Sequence, residues 1–458
     1  MTEQLSPLDS MFLELEQADE GAHMHIGAAL VFDPLPGGGV PRIGVLRDRI
    51  AERLPLLPRF AQRLSSPRTR ALHWLAWEPV AEVDIAAHVH HARLPAPGSE
   101  RDLGEWLADF WSHRLDRTRP LWEVVLLEGL RGRRWALATK THHCLVDGVG
   151  GLDIGNVVLD GETAAPLPAA PMDRDAGGAA FWLSAGLIAR GASRLLHPID
   201  TAAQGAAMAD MLIRDELVAA PHSSLNRPIG GMRLYEHARF DLDDVKEIRR
   251  AFGGTVNDVV LTMCAGGLRE LLLARGEEPP ERGLRAQIPV NVRRAPEEHA
   301  LGNRLTSLYV DLPVAEPDPL RRYELVRERV ATLKASAQAV GGAALVGAAG
   351  AMPPAAGAAL SRALYGGVRM FNLTITNIPG PQERLSAFGA PMREVLPLVP
   401  LFAGHTVGIA VFSYAGGIVF GINADRAAAP DADVLAGGLE RSFAELRPSV
   451  HRPAVRSG

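Results

Sequence analysis

Apolar and polar positions set out a succession of short strands and longer helices. Met24–Asp33 (MHIGAALVFD) is a short apolar run that predicts a strand. Arg42–Leu54 places Val45, Leu46, Ile50 and Leu54 near a 3.6-residue spacing, which predicts a helix, and Leu103–Arg114 reads as another. Trp122–Leu127 is a short buried strand. Arg134–Thr141 is a strand with alternating faces, one of Trp135, Leu137, Thr139 and Thr141, the other of Ala136, Ala138, Lys140 and, just beyond, His142. Gly150–Asp160 reads as helical. The pattern lapses in DGETAAPLPAAPMDRDAGGAA, a Pro-, Ala- and Gly-rich stretch with the composition of a linker. Helices are expected over Phe181–Leu196 and Thr201–Val218. A second α/β unit begins near Arg233, with helices at Leu242–Ala251, Val256–Arg275 and Leu320–Ala337 and strands at Arg285–Val292 and Ser307–Asp311. Strands return at Leu373–Asn377, Thr406–Tyr414 and Gly417–Ile422, before a terminal helix over Asp431–Leu446. The fold class is α/β in the broad α+β sense. The expected organisation is an N-terminal domain over 1–160, a helical linker over 161–225 and a C-terminal domain over 226–458.

Composition narrows the function classes. The 458 residues carry 48 basic and 53 acidic side chains, a formal net charge of −5 that gives no electrostatic drive toward nucleic acid. Two cysteines, Cys144 and Cys264, exclude a disulfide framework and a Cys-rich zinc module, and point to a reduced, cytoplasmic setting. The N-terminus lacks the basic and apolar regions of a secretory signal. No convincing membrane span is present. The best candidate, Ala339–Leu360, owes its apolarity mostly to alanine and is broken by Pro353-Pro354.

The densest polar signal is THHCLVDGVGG, Thr141–Gly151, where a predicted strand runs into a turn. His143 and Asp147 form H-x-x-x-D. A histidine titrating near neutrality is a natural general base for an alcohol, and an aspartate four residues on can fix the turn. Gly148, Gly150 and Gly151 allow tight backbone and close ligand approach. His142 reads equally as catalytic or as a packed structural histidine. The spacing is no zinc signature and no metal is expected.

The sequence His142-His143-Cys144-Leu145-Val146-Asp147-Gly148 matches the HHxxxDG motif of coenzyme-A-dependent acyltransferases. Other segments resemble the bacterial wax ester synthase/diacylglycerol acyltransferase family in order along the chain. They are SPLDSMFLELE (Ser6–Glu16) with MHIG (Met24–Gly27), LDRTRPLWE (Leu115–Glu123), GGTVNDVVL (Gly253–Leu261), PVNVR (Pro289–Arg293), LGN (Leu301–Asn303), TNIPGP (Thr376–Pro381) and SYAGGIVFGINAD (Ser413–Asp425).

The resemblance implies a two-domain chloramphenicol-acetyltransferase-like fold with an interdomain tunnel. Acyl-CoA enters as a substrate, no cofactor is needed, and the acceptor is diacylglycerol or a long-chain alcohol. It implies His143 as general base, with Asp147 structural in an ion pair for which Arg293 is the first-choice partner. Asn257 is implied as an oxyanion donor or a support for the base, against an ordinary helix N-cap. Trp122, Gly148, Asp258 and Asn303 are expected near substrate. Core packing for Trp122, the helix dipole for Asp258 and a plain turn for Asn303 are the alternatives. Phe181, Trp182, Leu187, Ile188, Met208, Met211 and Leu212 offer apolar faces for contact with a membrane or lipid-droplet surface, or for packing on the domains. Two other readings share the motif: a stand-alone condensation-type enzyme using carrier-bound substrates, and an inactive lipid-binding module.

Overall fold

The computed structural model describes residues 3–5, 7–65, 75–145, 153–161, 219–291, 305–339 and 370–450. Its strands are β1 (Glu3–Gln4), β2 (His25–Phe32), β3 (Gln62–Leu64), β4 (Ala76–Pro79), β5 (Val89–Arg93), β6 (Trp122–Leu130), β7 (Arg134–His142) and β8 (Arg233–Asp241). They continue as β9 (Leu284–Asn291), β10 (Leu305–Leu312), β11 (Leu373–Pro379), β12 (Ser386–Ala387), β13 (Ala390–Leu398), β14 (Val407–Tyr414) and β15 (Gly417–Asp425). The helices are α1 (Pro7–Ala18), α2 (Ile43–Arg53), α3 (Glu100–Ser112), α4 (Asp153–Asn156), α5 (Leu242–Phe252), α6 (Val256–Ala274), α7 (Pro319–Ala339) and α8 (Ala432–Val450).

Two six-stranded sheets dominate, in the orders β12-β13-β2-β7-β6-β5 and β10-β9-β11-β14-β15-β8. The expected α+β class is therefore present, built here on two large sheets. The chain does not divide between them at residue 226, however. Residues of the C-terminal half complete the N-terminal sheet, with Val395 paired to Leu30 and Leu396 to Ala29. The cause lies in β2. Ala28, Ala29, Leu30, Val31 and Phe32 are all buried, so an apolar strand at a free sheet edge would be exposed to mispairing, and β13 covers it.

The sheets meet through close backbone approach. A Cβ on Gly421 of β15 would lie 2.1 Å from the carbonyl oxygen of Pro397 on β13, so only glycine fits there. The same carbonyl accepts the Tyr235 hydroxyl at 3.0 Å. Helix α3 fills the space beside it. Leu103, Leu107 and Trp111 are buried on one face at i, i+4 and i+8, and they pack with Tyr235, Leu396 and Val419. Ser99 and Asp102 form a capping box that starts this helix three residues before the apolar spacing suggests.

Helix α6 is buried nearly all round and sits in the C-terminal core with α5, α8 and the second sheet. The hairpin β14–β15 turns at Ala415 and Gly416, both at positive φ, as a two-residue loop of this hand requires. The helix expected over Gly150–Asp160 is confined, among the described residues, to Asp153–Asn156. The helices expected over 181–196 and 201–218 lie outside the described residues.

Candidate active site

The paired histidines stand where β7 ends. His142 closes the ladder with β2 opposite His25, and its N–H reaches the Leu121 carbonyl at 3.0 Å. The chain then leaves the sheet. The His143 N–H binds the Met24 carbonyl at 2.7 Å, and the Leu145 N–H returns to the His142 carbonyl at 2.9 Å. These bonds fix a turn with His143 inside it. The His143 ring stacks on Phe12 with centroids 4.1 Å apart and an interplanar angle of 17°. Phe12 belongs to an apolar cluster with Leu15, Met24, Phe371 and Phe402, so residues of both halves of the chain gather behind this ring.

His142 is fully buried. Its Nδ1 accepts the Cys144 N–H at 3.1 Å. A ring nitrogen that accepts carries no proton, so neutral His142 bears its hydrogen on Nε2. That nitrogen lies 3.4 Å from Oε2 of Glu16, whose Oε1 lies 3.4 Å from Nε2 of His25. Both are long contacts. The short contact at Glu16 is with Arg117, whose Nε donates to Oε2 at 3.1 Å while its Nη2 donates to the same oxygen. Burial pushes the Glu16 carboxyl up, but His142 and His25 more than offset it and hold the group far below the usual carboxylate range. Burial also lowers the histidines, His25 to about 3, against the opposing pull of Glu16. The centre at neutral pH is thus an ionised Glu16 balanced by Arg117, between neutral imidazoles.

Cys144 is buried in the N-terminal core, and burial raises its thiol well above the usual value. A thiol held protonated in apolar surroundings is a poor nucleophile.

Asn257 is the second residue of α6. The N-cap is Thr255, which forms a capping box with Asp258. The Asp258 carboxylate accepts the Thr255 N–H at 2.7 Å and the Thr255 hydroxyl at 2.8 Å, so its bonds are those of a helix cap. Asn257 is free of that duty. Its Oδ1 accepts the Asn377 side-chain amide at 3.2 Å, which leaves its own N–H₂ as a donor. Trp122 is completely buried. Its Nε1–H donates to the Phe60 carbonyl at 2.8 Å and its ring stacks on His88, so it braces the start of β6 from within the core. Asp147, Gly148, Arg293 and Asn303 lie outside the described residues.

Residues 5–260 match the model of the wax ester synthase/diacylglycerol acyltransferase catalytic domain, and residues 301–447 match that of the WS/DGAT C-terminal domain. The chain belongs to the wax ester synthase/diacylglycerol acyltransferase family. It is an acyltransferase. A probable diacylglycerol O-acyltransferase of Mycobacterium tuberculosis, tgs1, is 33% identical over 451 residues, covering 96% of this chain and 95% of the relative. A second from that organism, tgs2, is 32% identical over 461 residues, covering 97% and 99%. The wax ester synthase/diacylglycerol acyltransferase of Marinobacter aquaeolei VT8 superposes with a TM-score of 0.71 at 25% identity, over 98% of this chain and 99% of that one. The starter condensation domain of rhizomide synthetase RzmA shares the fold, with a TM-score of 0.61 at 15% identity over 98% and 95% of the two chains.

Within this family frame, Glu16, His25, Arg117, Phe12 and Asn377 are the side chains around the site that the sequence alone did not single out. Each lies inside a segment that carries the family resemblance: Ser6–Glu16, Met24–Gly27, Leu115–Glu123 or Thr376–Pro381. The signal was the placement of those segments in the motif set. Their contacts with the histidine turn and with Asn257 are long-range and need the fold.

Proposed function

We propose that the chain transfers a long-chain acyl group from acyl-CoA to the hydroxyl of diacylglycerol, or of a long-chain alcohol, with His143 as the general base. The observation that carries this reading is His143 itself: an imidazole held in a turn by backbone bonds on both sides, against an apolar cluster built from both halves of the chain.

In this mechanism His143 removes the hydroxyl proton as the oxygen attacks the thioester carbonyl. A tetrahedral intermediate forms, the carbon–sulfur bond breaks, and the protonated His143 returns its proton to the departing thiolate. A positioned base of this kind contributes about 10²–10⁴-fold. The Asn257 amide is the candidate donor to the oxyanion, a role worth about 10²–10³-fold. The thioester is already activated, so the reaction uses neither cofactor nor covalent enzyme intermediate. The buried, protonated thiol of Cys144 supports direct transfer.

The acceptor partitions into lipid, and the proposal includes attachment to the surface of a membrane or lipid droplet, on its cytoplasmic side. Among the described residues no helix is long and apolar enough to cross a membrane. Labelled acyl-CoA offered to purified protein with diacylglycerol, hexadecanol, glycerol or a carrier-bound amine tests the reading. Triacylglycerol or wax ester as the product is the expected result. Acylated carrier-bound amine alone would make it a condensation enzyme, and no product with any acceptor would make it a lipid-binding module.

A further inference from the structure

Helix α1 touches both histidines of the pair from a single face. Phe12 and Glu16 are one turn apart, at i and i+4, so their side chains project together. Phe12 stacks on His143, and Glu16 lies against His142 and His25. The helix is anchored for this task from the segment after α3. Arg114 donates to the carbonyls of Glu16 at 3.0 Å and Asp19 at 2.8 Å, and Arg117 donates to the Leu13 carbonyl at 3.2 Å as well as to the Glu16 carboxylate.

A carboxylate that is only 2% exposed carries a large desolvation penalty, and its arrangement calls for a reason beyond stability. The geometry supplies one. The turn that carries His143 depends on the Cys144 N–H finding an acceptor, and that acceptor is Nδ1 of His142. Nδ1 accepts only if the ring hydrogen is on Nε2. The tautomer with hydrogen on Nδ1 would set two donors against each other. A fixed negative charge at Nε2 selects the accepting form.

We propose that Glu16 is a positioning residue: its carboxylate holds His142 in the Nε2–H tautomer, so that Nδ1 receives the Cys144 N–H and keeps the turn that aims His143. Glu16 acts through His142 and touches no reacting atom. The inference rests on the reading of His143 as the base.

The test compares Glu16→Leu, Glu16→Gln and His143→Ala in the full chain, measuring kcat, KM for acyl-CoA, melting temperature and the tautomer of His142. The last is read from ¹⁵N-histidine NMR, assigned with a His142→Gln variant. Misplacement of the base by Glu16→Leu should lower kcat about 10²-fold. KM for acyl-CoA should stay within about twofold, because substrate binding is not the function lost. The melting temperature should fall by a few degrees, since Arg117 loses its carboxylate partner, so turnover is compared per folded molecule. The His142 resonances should shift away from a pure Nε2–H form. Glu16→Gln should recover much of the turnover, because its amide oxygen still accepts from Arg117 and presents its partial negative charge to Nε2 of His142, while its N–H₂ faces His25.

Wild-type kcat in Glu16→Leu would overturn the proposal, as would a fall in melting temperature with unchanged turnover per folded molecule. An Nδ1–H tautomer of His142 in the wild type would overturn it without any variant. Active His143→Ala would remove the base assignment beneath it. Inactive His143→Ala beside fully active Glu16→Leu would remove the Glu16 role alone.

Discussion

The ring of His143 lies parallel to that of Phe12, 4.1 Å between centroids, and this stack joins the first helix of the chain to the end of a strand 130 residues later. It fixes the plane of the imidazole. Phe12→Leu keeps an apolar side chain in the cluster with Met24, Phe371 and Phe402 but removes the flat surface. Turnover should fall about tenfold, as expected for a base whose orientation has loosened, with a shift in melting temperature of a few degrees. Steady-state kinetics beside thermal unfolding checks this. Unchanged kcat would show that the turn alone orients the ring.

Asn257 and Asp258 are neighbours with separable roles. The Asp258 carboxylate belongs to the capping box, so Asp258→Ala should cost about 0.5–2 kcal/mol of stability, measured by urea unfolding, with little change in kcat per folded molecule. Asn257→Ala should lower kcat about 10²–10³-fold with a small stability change, as loss of an oxyanion donor does. Asn377→Leu, which frees the Asn257 amide to rotate, should move kcat in the same direction by less.

Asp160 ties the segment after α4 to the β12–β13 hairpin. Its carboxylate accepts from Arg49 at 2.8 Å, the Ser386 hydroxyl at 2.9 Å, and the N–H groups of Phe388 at 2.9 Å and Gly389 at 2.7 Å. Burial raises this carboxyl, and bonds from Gly389, Arg49, Ser386 and Phe388 outweigh that and hold it below its ordinary value. Asp160→Asn places an N–H₂ against donors and should destabilise the fold by about 1–3 kcal/mol. Denaturant unfolding with unchanged m-value gives the measurement.

Acid should destabilise the protein before its carboxylates titrate. Burial lowers His25 to about 3 and His405 to about 4, from a reference of 6.5. Both stay neutral in the folded chain while the unfolded chain binds protons below 6.5. The stability they contribute is therefore full above pH 6.5 and is lost as the pH falls toward 3–4. Between pH 7 and 5 each should cost on the order of 1–2 kcal/mol. His405→Gln should flatten the fall in melting temperature over that range.

Much of this architecture was legible in the chain, for identifiable reasons. Strand β7 is a short, mostly apolar run, α6 has length and a capping pair, and the HHxxxDG motif has a fixed spacing. Helix α1 was not legible as a helix, because Asp9 and Glu16 are buried carboxylates that interrupt its apolar face. Strand β13 was missed because Pro391 and Pro397 imitate a loop, and its partner β2 lies more than 350 residues away. Glu16 followed from neither periodicity nor motif spacing. Its role depends on a helix, two strands and a loop meeting at one carboxylate.

In the proposed mechanism His143 is a base and never a carrier of the acyl group. The most direct measurement incubates the wild type and His143→Ala with labelled acyl-CoA, with and without diacylglycerol, and follows product, bound acyl-CoA and protein-bound label after denaturation. His143→Ala should bind acyl-CoA while losing about 10²–10⁴-fold in transfer, and neither protein should carry denaturation-stable label. Full transfer by His143→Ala, or label trapped on Cys144, would contradict the mechanism.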